Sequence, residues 1–310
     1  MVDTMKDMIN YYYNLDVTRI IPIHDDNVHE SMKTYKYCIE ADNSKFILKE
    51  INYDSNQLNY SVINQLRKIE YFLKPVFNIN NDVITRIDNR ECILLKCSNI
   101  PWENISLFDI KIDYYISGYS FNIDSWIKMW ENKIDNFENW LYNKKNEYLE
   151  YFPLFQYFIG ISENALLYLK EIKEDNFYTY TSNCVAAHRR IGMDTTLYEY
   201  YDSTTIITDH PSRDIAEYIK SMIINRCFDS TAFREYLEKL SFSKDDMSIL
   251  YARILFPTFF YDYIEGKKDL TDLITSMDYY ENCISEIGKV LNNGWNVKMI
   301  EWLRNKKNHS

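Results

Sequence analysis

The sequence has 310 residues and a formal net charge of −11, and 46% of its residues are hydrophobic. This length and apolar content predict a folded protein with two lobes and exclude a disordered chain. The acidic balance excludes a general nucleic-acid binder, because a polyanion would be repelled. Glycine and proline number only 6 each, which excludes collagen-like and linker-rich proteins.

No segment has the pattern of a signal peptide or a transmembrane helix. Charged residues recur through the first thirty positions, beginning with Asp3, Lys6 and Asp7. The longest strongly apolar run, 151–162, is shorter than the roughly 18–20 residues that a spanning helix needs. The six cysteines are dispersed without a C-x-x-C pair, which predicts reduced thiols. We therefore expect a protein that is made and kept in the cytoplasm.

The first hundred residues predict short strands with one helix among them. Two turn sequences, Asp42-Asn43-Ser44 and Asp88-Asn89-Arg90, are typical of hairpins. Apolar residues at helical spacing predict the helix over 58–69. Runs rich in β-branched and aromatic residues predict the strands, at 17–23, 34–40, 45–51, 83–87 and 92–97.

From about residue 123 the apolar pattern is almost wholly helical. One stripe runs from Ile123 to Leu141, and another runs from Phe155 to Leu169. Helices resume at Pro211, a residue that suits the first turn. Between these helices lie three strand-like runs, at 184–187, 197–201 and 204–208.

These patterns predict an α+β fold with two lobes. A β-rich lobe with one helix is expected at 1–98. A larger helical lobe is expected at 99–310, with the strand-like runs forming a small β-island at 184–208. Two lobes of this kind commonly hold a small molecule between them.

This predicted order of elements resembles that of protein kinases and of aminoglycoside and choline phosphotransferases. Phosphoryl transfer needs a cation on the phosphates and carboxylate or amide ligands for magnesium. Lys49 on the third strand is a candidate cation, although a strand lysine is often simply solvated. His188-Arg189-Arg190 follows one strand of the island, and Asp209 follows another, 21 residues beyond His188.

A specific resemblance appears at Asp209–Glu217, which reads D-H-P-S-R-D-I-A-E. It resembles the D-H-P-S-R-D-L-A-E segment of kinase-like spore-coat proteins of the CotS and YutH type, as does the degenerate loop at 188–190. The resemblance implies the aminoglycoside-phosphotransferase variant of the kinase fold. It also implies assembly with other coat proteins in the mother-cell cytoplasm, and ATP and Mg²⁺ as possible cofactors.

Several positions depart from an active kinase of this fold, whose first loop reads H-G-D or H-R-D and is followed five residues later by Asn. Arg190 replaces the expected catalytic Asp, and a guanidinium has no acceptor with which to orient a hydroxyl. Thr195 stands where the metal-binding Asn is expected. The helix after Lys49 has acids only near its ends, so it offers that lysine no partner. Residues 18–45 contain no glycine, which a backbone close to phosphates normally uses.

Alternatives remain open for the site. Asp194 could replace the missing base if the loop is shifted. Arg190 could hold a phosphate, or it could pair with Asp209 and remove that carboxylate from magnesium binding. A metal site made by His188, Asp209 and His210 is also conceivable.

Arg213 and Asp214 are interpreted as structural support for the loop. Asp214 lies in the first turn of the helix that begins near Pro211, where a carboxylate meets unpaired N–H groups and the helix dipole. In related phosphotransferases an Asp at this helix start supports the catalytic loop, and the resemblance implies the same support here.

The sequence therefore predicts a non-catalytic, pseudokinase-like spore-coat protein that acts through protein contacts. The alternative is an active phosphotransferase that uses ATP and magnesium on a small molecule. A third hypothesis is a protein that binds ATP weakly through Lys49, Asp209 and Thr195 without turning it over. The basic residues of the last twenty or so positions predict a solvated terminal helix, or a contact with a membrane or an acidic partner.

Overall fold

A computed structural model describes residues 2–23, 36–51, 58–97, 103–144, 148–175, 182–264 and 271–300. The chain divides into two compact units. The first comprises Met1–Asn104 together with Thr195–Ile207, and the second comprises Ile105–Asp194 together with Thr208–Ser310. Within these described ranges, no helix is both long and apolar enough to cross a membrane.

The first unit is built on an antiparallel sheet. Its strand order is β1-β2-β3-β6-β4, and β5 pairs with β6. The sheet carries two helices from the same part of the chain. In chain order the elements are α1 (Val2–Tyr13), β1 (Val17–Ile23), β2 (Lys36–Ala41), β3 (Ser44–Glu50), α2 (Tyr60–Leu66), β4 (Lys74–Pro75), β5 (Ile84–Ile87) and β6 (Arg90–Cys97).

Both predicted hairpins are confirmed, and their turns explain the strand register. Asp42 and Asn43 have φ angles of 49° and 56°, and Asp88 and Asn89 have φ angles of 48° and 62°. Two successive residues with positive φ make a turn whose twist matches that of the flanking strands. The first turn places Ala41 opposite Ser44 and so fixes every pair between β2 and β3.

Helix α1 corrects the expectation of a single helix in this region. Met5, Ile9 and Tyr13 recur every four residues and are buried in one apolar cluster with residues of the sheet. The hydroxyl of Tyr13 also donates a hydrogen bond to Thr85 Oγ1 at 2.8 Å. The helix therefore forms because a spacing of four places three apolar side chains on its buried face.

The second unit is predominantly helical, as predicted. It contains a three-stranded sheet in the order β7-β8-β9. The apolar stripe of α3 is buried from Ile127 to Leu141, whereas its predicted first member, Ile123, is only partly buried. Nine consecutive residues of α8, from Met247 to Leu255, are also buried. The elements are β7 (Tyr115–Ser120), α3 (Ile123–Lys144), α4 (Phe152–Asp175), β8 (Asn183–Ala187), β9 (Ile207–Asp209), α6 (Ser212–Ile224), α7 (Ser230–Leu237), α8 (Lys244–Leu255), α9 (Thr258–Ile264) and α10 (Thr271–Trp295).

The middle of the predicted β-island is a helix. Residues 197–201 were expected as a strand, but α5 (Leu197–Tyr200) begins there behind a capping box. Glu199 accepts hydrogen bonds from the backbone N–H and the hydroxyl of Thr196, at 3.1 and 2.9 Å. This reciprocal cap satisfies N–H groups at the start of a helix, so it overrides the strand preference of the tyrosines.

The observed division differs from the predicted boundary at residue 98. Thr195–Ile207 belongs to the first unit, although it follows most of the second along the chain. Leu197 N–H donates to Glu103 O at 2.8 Å, and Tyr198 is buried in an apolar cluster of the first unit. Residues 301–310 of the predicted basic tail lie outside the described residues.

Candidate functional site

The loop after β8 is held by the first turn of α6. Asp214 accepts the backbone N–H of His188 through Oδ1 at 2.8 Å, and its Oδ2 lies 2.7 Å from His188 Nδ1. An ionised Asp214 accepts both bonds if the histidine carries its proton on Nδ1. Both residues are buried. The structure therefore brings His188 and Asp214 together, in the geometry that a supporting role would need.

Arg213 fastens the same loop from the next position of α6. Its Nε donates to the carbonyl of His188 at 2.5 Å, and its Nη2 donates to the carbonyl of Arg189 at 3.1 Å. Its Nη1 donates to Asp209 Oδ2 at 2.5 Å. One guanidinium thus joins the loop to the residue that ends β9, because its five donors form a rigid fork.

Asp209 is surrounded by donors and by positive charge. Its Oδ1 accepts the N–H of His210 at 2.7 Å, and its Oδ2 contacts Arg213 and, at 3.5 Å, Nη2 of Arg253. Only 7% of Asp209 is exposed. Magnesium at this oxygen would sit beside two permanent cations, so this set of groups does not fit a magnesium site.

Arg190 does not pair with Asp209, which corrects that expectation. Its Nε and Nη2 donate to the two carboxylate oxygens of Asp262, each at 2.8 Å. Its Nη1 donates to the carbonyl of Arg189 at 2.8 Å, and Glu217 Oε2 lies 3.8 Å from Nε. Two parallel bonds to one carboxylate fix a guanidinium in orientation as well as position.

Glu217 on α6 lies at the centre of the buried charges. Lys220 Nζ is 2.8 Å from Glu217 Oε1 and 2.6 Å from the hydroxyl of Thr258. Burial would raise the pKa of Glu217, but Lys220 and Arg190 hold that pKa well below its usual range. Burial lowers the pKa of Lys220 to about 8, against the opposing effect of Glu217. Both side chains therefore remain charged at neutral pH.

Arg253 on α8 completes this cluster. Its guanidinium carbon lies 3.8 Å from the centroid of the Trp126 ring, in a cation–π contact. Burial lowers its pKa to about 10. The cluster therefore joins four basic to three acidic side chains: Arg190, Arg213, Lys220 and Arg253 with Asp209, Glu217 and Asp262.

The histidines do not form the conceivable metal site. His210 is fully buried, accepts the N–H of Ser212 on Nδ1 at 3.1 Å, and has Nε2 3.2 Å from Asp246 Oδ1. His188 instead contacts Asp214. In the parts of the chain that the structure describes, no three His, Cys, Asp or Glu side chains are grouped to hold a metal ion.

The other two predicted loop residues, Asp194 and Thr195, are neighbours in the chain but belong to different units. Asp194 is exposed at the end of one segment of the second unit, outside the buried charge cluster. Thr195 opens the second segment of the first unit. Their predicted roles, as a substitute base and as a metal ligand, stay predictions.

Lys49 lies in the first unit and has a buried acidic partner. Its Nζ forms an ion pair with Oδ2 of Asp202, and the two residues are 8% and 5% exposed. Asp202 Oδ1 accepts the N–H and the hydroxyl of Thr204 at 2.9 and 2.6 Å. The helix after Lys49 supplies no acidic partner for this lysine, and Asp202 of the segment Thr195–Ile207 supplies one instead. Sequence reasoning did not find this partner.

Sequence reasoning also missed Lys36 and Glu199. Lys36 Nζ lies 2.8 Å from Glu199 Oε1, and Lys36 is directly opposite Lys49 in the register of β2 and β3. The signal was present, because a two-residue turn at Asp42 and Asn43 pairs all residues whose numbers add to 85. No sequence pattern indicated Glu199 and Asp202 as the acidic partners, because both belong to the segment Thr195–Ile207, far along the chain from the two lysines.

Solved structures of aminoglycoside phosphotransferases share this fold. A spectinomycin phosphotransferase, solved in complex with ADP and spectinomycin, superposes with a TM-score of 0.53 at 11% identity, covering 93% of this chain and 98% of that one. An aminoglycoside phosphotransferase from Alicyclobacillus acidocaldarius superposes with a TM-score of 0.50 at 10% identity, covering 98% and 96%. The fold is therefore that of the aminoglycoside-phosphotransferase class of kinase-like proteins.

Sequence comparison narrows this class to one family. The profile of the family described as "Spore coat putative kinase YutH" matches residues 6–269. The endospore coat-associated protein YutH of Bacillus subtilis (strain 168) is 24% identical over 275 residues, covering 79% of this chain and 80% of that protein. The chain belongs to this YutH family of spore-coat kinase-like proteins.

Proposed function

We propose that the chain is a non-catalytic, pseudokinase-like spore-coat protein that acts through contacts with other coat proteins. The observation that carries the non-catalytic part is Arg190, which stands where active relatives of this fold are expected to place a carboxylate. Its guanidinium is held in a two-bond pair with Asp262. The coat association rests on the family and on the name of the Bacillus subtilis relative.

The chemistry of the loop supports catalytic silence. A general base or orienting carboxylate typically contributes about 10²–10⁴ in rate. A guanidinium cannot accept a proton, and a loop shift would have to break two charge-assisted bonds to Asp262. Asp209 is compensated by Arg213 and Arg253, so the negative charge that would attract magnesium is already neutralised.

An active small-molecule phosphotransferase is the second candidate. The buried Lys49 on β3 favours it, because a lysine is retained where a phosphate-binding cation is expected in this fold. Lys49 is paired with Asp202, however, so an incoming phosphate would have to compete with that carboxylate.

Assays of ATP consumption and thermal stability separate the two candidates. We expect no ATP consumption with magnesium and aminoglycosides, choline-like amines or sugars as acceptors. A ligand at about 100 times its dissociation constant would add about 2.7 kcal/mol to the free energy of unfolding. A melting temperature that does not change with ATP and magnesium would therefore set a lower limit on the dissociation constant of ATP. Steady consumption that Asp209→Asn abolishes would establish the phosphotransferase instead.

The coat assignment is tested separately in the host. A tagged full-length chain should appear in the coat fraction of purified spores and should withdraw other coat proteins with it. Uniform location in vegetative cells, with none in spores, would contradict the assignment. A tagged unrelated cytoplasmic protein is the control for material trapped during sporulation.

A further inference from the structure

Two sulfur atoms from separate parts of the second unit are in contact beside the end of α6. Cys227 follows this helix, and its thiol donates to Sδ of Met193 with 3.0 Å between the two sulfur atoms. Cys227 is exposed and Met193 is partly buried, so solvent reaches the thiol. A thiolate and a thioether are soft ligands of the kind that select Cu(I). The contact therefore places two ligands of one metal class together at the surface.

The backbone holds both sulfur-bearing residues in place. The N–H of Cys227 donates to the carbonyl of Met222 at 2.9 Å, and Arg226 before it has a φ of 57°. These features define a Schellman cap, in which the residue beyond a left-handed position returns to the last turn of the helix. On the other side, the N–H of Met193 donates to Ser221 Oγ of α6 at 3.1 Å. Both side chains therefore start from fixed backbone beside one helix end, so little freedom is lost when a ligand joins them.

The end of α6 also favours a cation. The last carbonyl groups of a helix carry the negative end of its dipole, and the carbonyl oxygen of Met222 lies 3.5 Å from Cys227 Sγ. Two metal–sulfur bonds of roughly 2.3 Å each need about 4 Å between the sulfur atoms, which is about 1 Å more than the observed contact. Met193 can supply this adjustment, because a methionine side chain has three rotatable bonds and this one is only partly buried.

We propose that Cys227 and Met193 bind a Cu(I) ion between their sulfur atoms. The ion replaces the proton of the thiol: a bond forms between Cys227 Sγ and copper, the proton leaves to water, and Met193 Sδ donates a lone pair. Zn²⁺ normally takes four ligands, and in the described part of the chain no three His, Cys, Asp or Glu side chains are grouped to supply them. No side chain of the buried charge cluster takes part, so this inference does not depend on the proposed function.

Anaerobic titration of the full-length chain with Cu(I), in competition with a chromophoric Cu(I) chelator, tests the proposal. Loss of a group that only supports a metal ligand costs about 10–100-fold in affinity, so loss of a direct ligand should cost at least about tenfold. We therefore expect Cys227→Ser and Met193→Leu each to weaken the binding of one equivalent of Cu(I) by at least that factor. Leucine keeps the size and apolar character of methionine and removes the sulfur atom.

Two variants at other positions are the matched controls. Cys38→Ser removes a partly buried thiol of the first unit, and Met129→Leu removes an exposed thioether of α3. Each should change the affinity for that equivalent less than about twofold, because effects of distant sites are independent. Affinity that Cys227→Ser leaves unchanged would show adventitious binding by other thiols and would overturn the proposal. Affinity that is lost in Cys227→Ser but kept in Met193→Leu would also overturn it, because one thiol would then suffice.

Alkylation by iodoacetamide gives a second measurement that needs no altered chain. The thiolate is both the nucleophile and the metal ligand, so one equivalent of Cu(I) should slow the alkylation of Cys227 at least about tenfold. Mass spectrometry of the peptides follows each cysteine separately, and Cys38 is the internal control, whose rate should not change. Equal alkylation of Cys227 with and without copper would overturn the proposal, and so would equal protection of Cys38 and Cys227.

Discussion

Arg190 is held firmly in the fold. We therefore expect that Arg190→Asp, which introduces the residue of active kinases, destabilises the protein and does not restore catalysis. Arg190→Asp would place a third carboxylate beside Asp262 and Glu217, which are both buried. Loss of one partner from a buried pair typically costs about 3–5 kcal/mol, and the partial exposure of Arg190 reduces this to about 2 kcal/mol or more.

Urea unfolding with a matched control measures this cost. Arg189→Asp makes the same change of charge at the exposed neighbouring position and should cost less than about 1 kcal/mol. We also expect no ATP turnover from Arg190→Asp. Equal stability of the two variants, or measurable turnover, would contradict this account of the loop.

His210 should make the stability of the protein depend on pH. Burial lowers its pKa, and the nearby Arg253 acts in the same direction, while Asp246 and Asp209 oppose it. The unfolded chain therefore takes up a proton near pH 6.5, whereas the folded chain does so only at lower pH. Stability from this residue is present above about pH 6.5 and is lost as the pH falls below that value.

Melting temperatures between pH 8 and pH 5 test this dependence. The unchanged chain should lose more stability across the interval than His210→Gln, because glutamine has no proton to take up there. Protonation would also break the bond from the N–H of Ser212 to Nδ1. Parallel pH curves for the two proteins would assign the acid sensitivity to other groups.

At the scale of elements, the loop at 191–194 is packed directly on α6. A Cβ added to Gly192 would lie 2.6 Å from Ser221 Oγ and 3.1 Å from Ser221 Cβ. The N–H of Met193 also donates to Ser221 Oγ at 3.1 Å. The absence of a side chain at Gly192 therefore lets the loop after His188 approach the helix closely.

Gly192→Ala should destabilise the protein by about 1–3 kcal/mol, because the extra methyl group must displace the helix or the loop. Gly160→Ala is the matched control, since a Cβ there meets nothing within 4 Å and the residue lies inside α4. That control should stabilise by about 0.5–1 kcal/mol, because alanine favours a helix over glycine. Chemical denaturation measures the free energy of unfolding of both variants and so tests the close approach of Gly192 to Ser221.

The elements that local chemistry determines were predictable from the sequence, and the contacts between distant residues were not. Hairpins at Asp42-Asn43 and Asp88-Asn89 follow from turn residues, and the stripe of α3 follows from its spacing. Helix α5 was missed because a cap at Thr196 outweighed the β preference of its tyrosines. The pair between Arg190 and Asp262 joins residues 72 positions apart, and no local pattern indicates such a contact.

At the scale of the whole molecule, the first unit is completed only by a segment from late in the chain. A fragment of residues 1–104 would lack the acids opposite Lys36 and Lys49, and it would lack the buried ring of Tyr198. Burial of one large apolar side chain contributes about 1.5–3 kcal/mol. We expect the fragment to be at least about 2 kcal/mol less stable than the same fragment joined to 195–207 by a flexible linker.

Circular dichroism during urea unfolding compares the two fragments. A joined fragment carrying Tyr198→Ala separates the contribution of the ring from that of the ion pairs, and it should fall between the other two. If residues 1–104 unfold at the same urea concentration with and without the added segment, the division of the chain into these two units is incorrect.

Left-handed turns made without glycine have a consequence for the unfolded chain. Seven of the eight described non-glycine residues with positive φ are Asn or Asp, and Gly118 is the described glycine in that region. Average usage of about 7% would give roughly 22 glycines in a chain of this length, and this one has 6. Each glycine replaced where the native φ and ψ are tolerated lowers the backbone entropy of the denatured ensemble, typically by about 0.4–1 kcal/mol in free energy. Part of the stability of this fold therefore arises because its random coil has fewer conformations to lose.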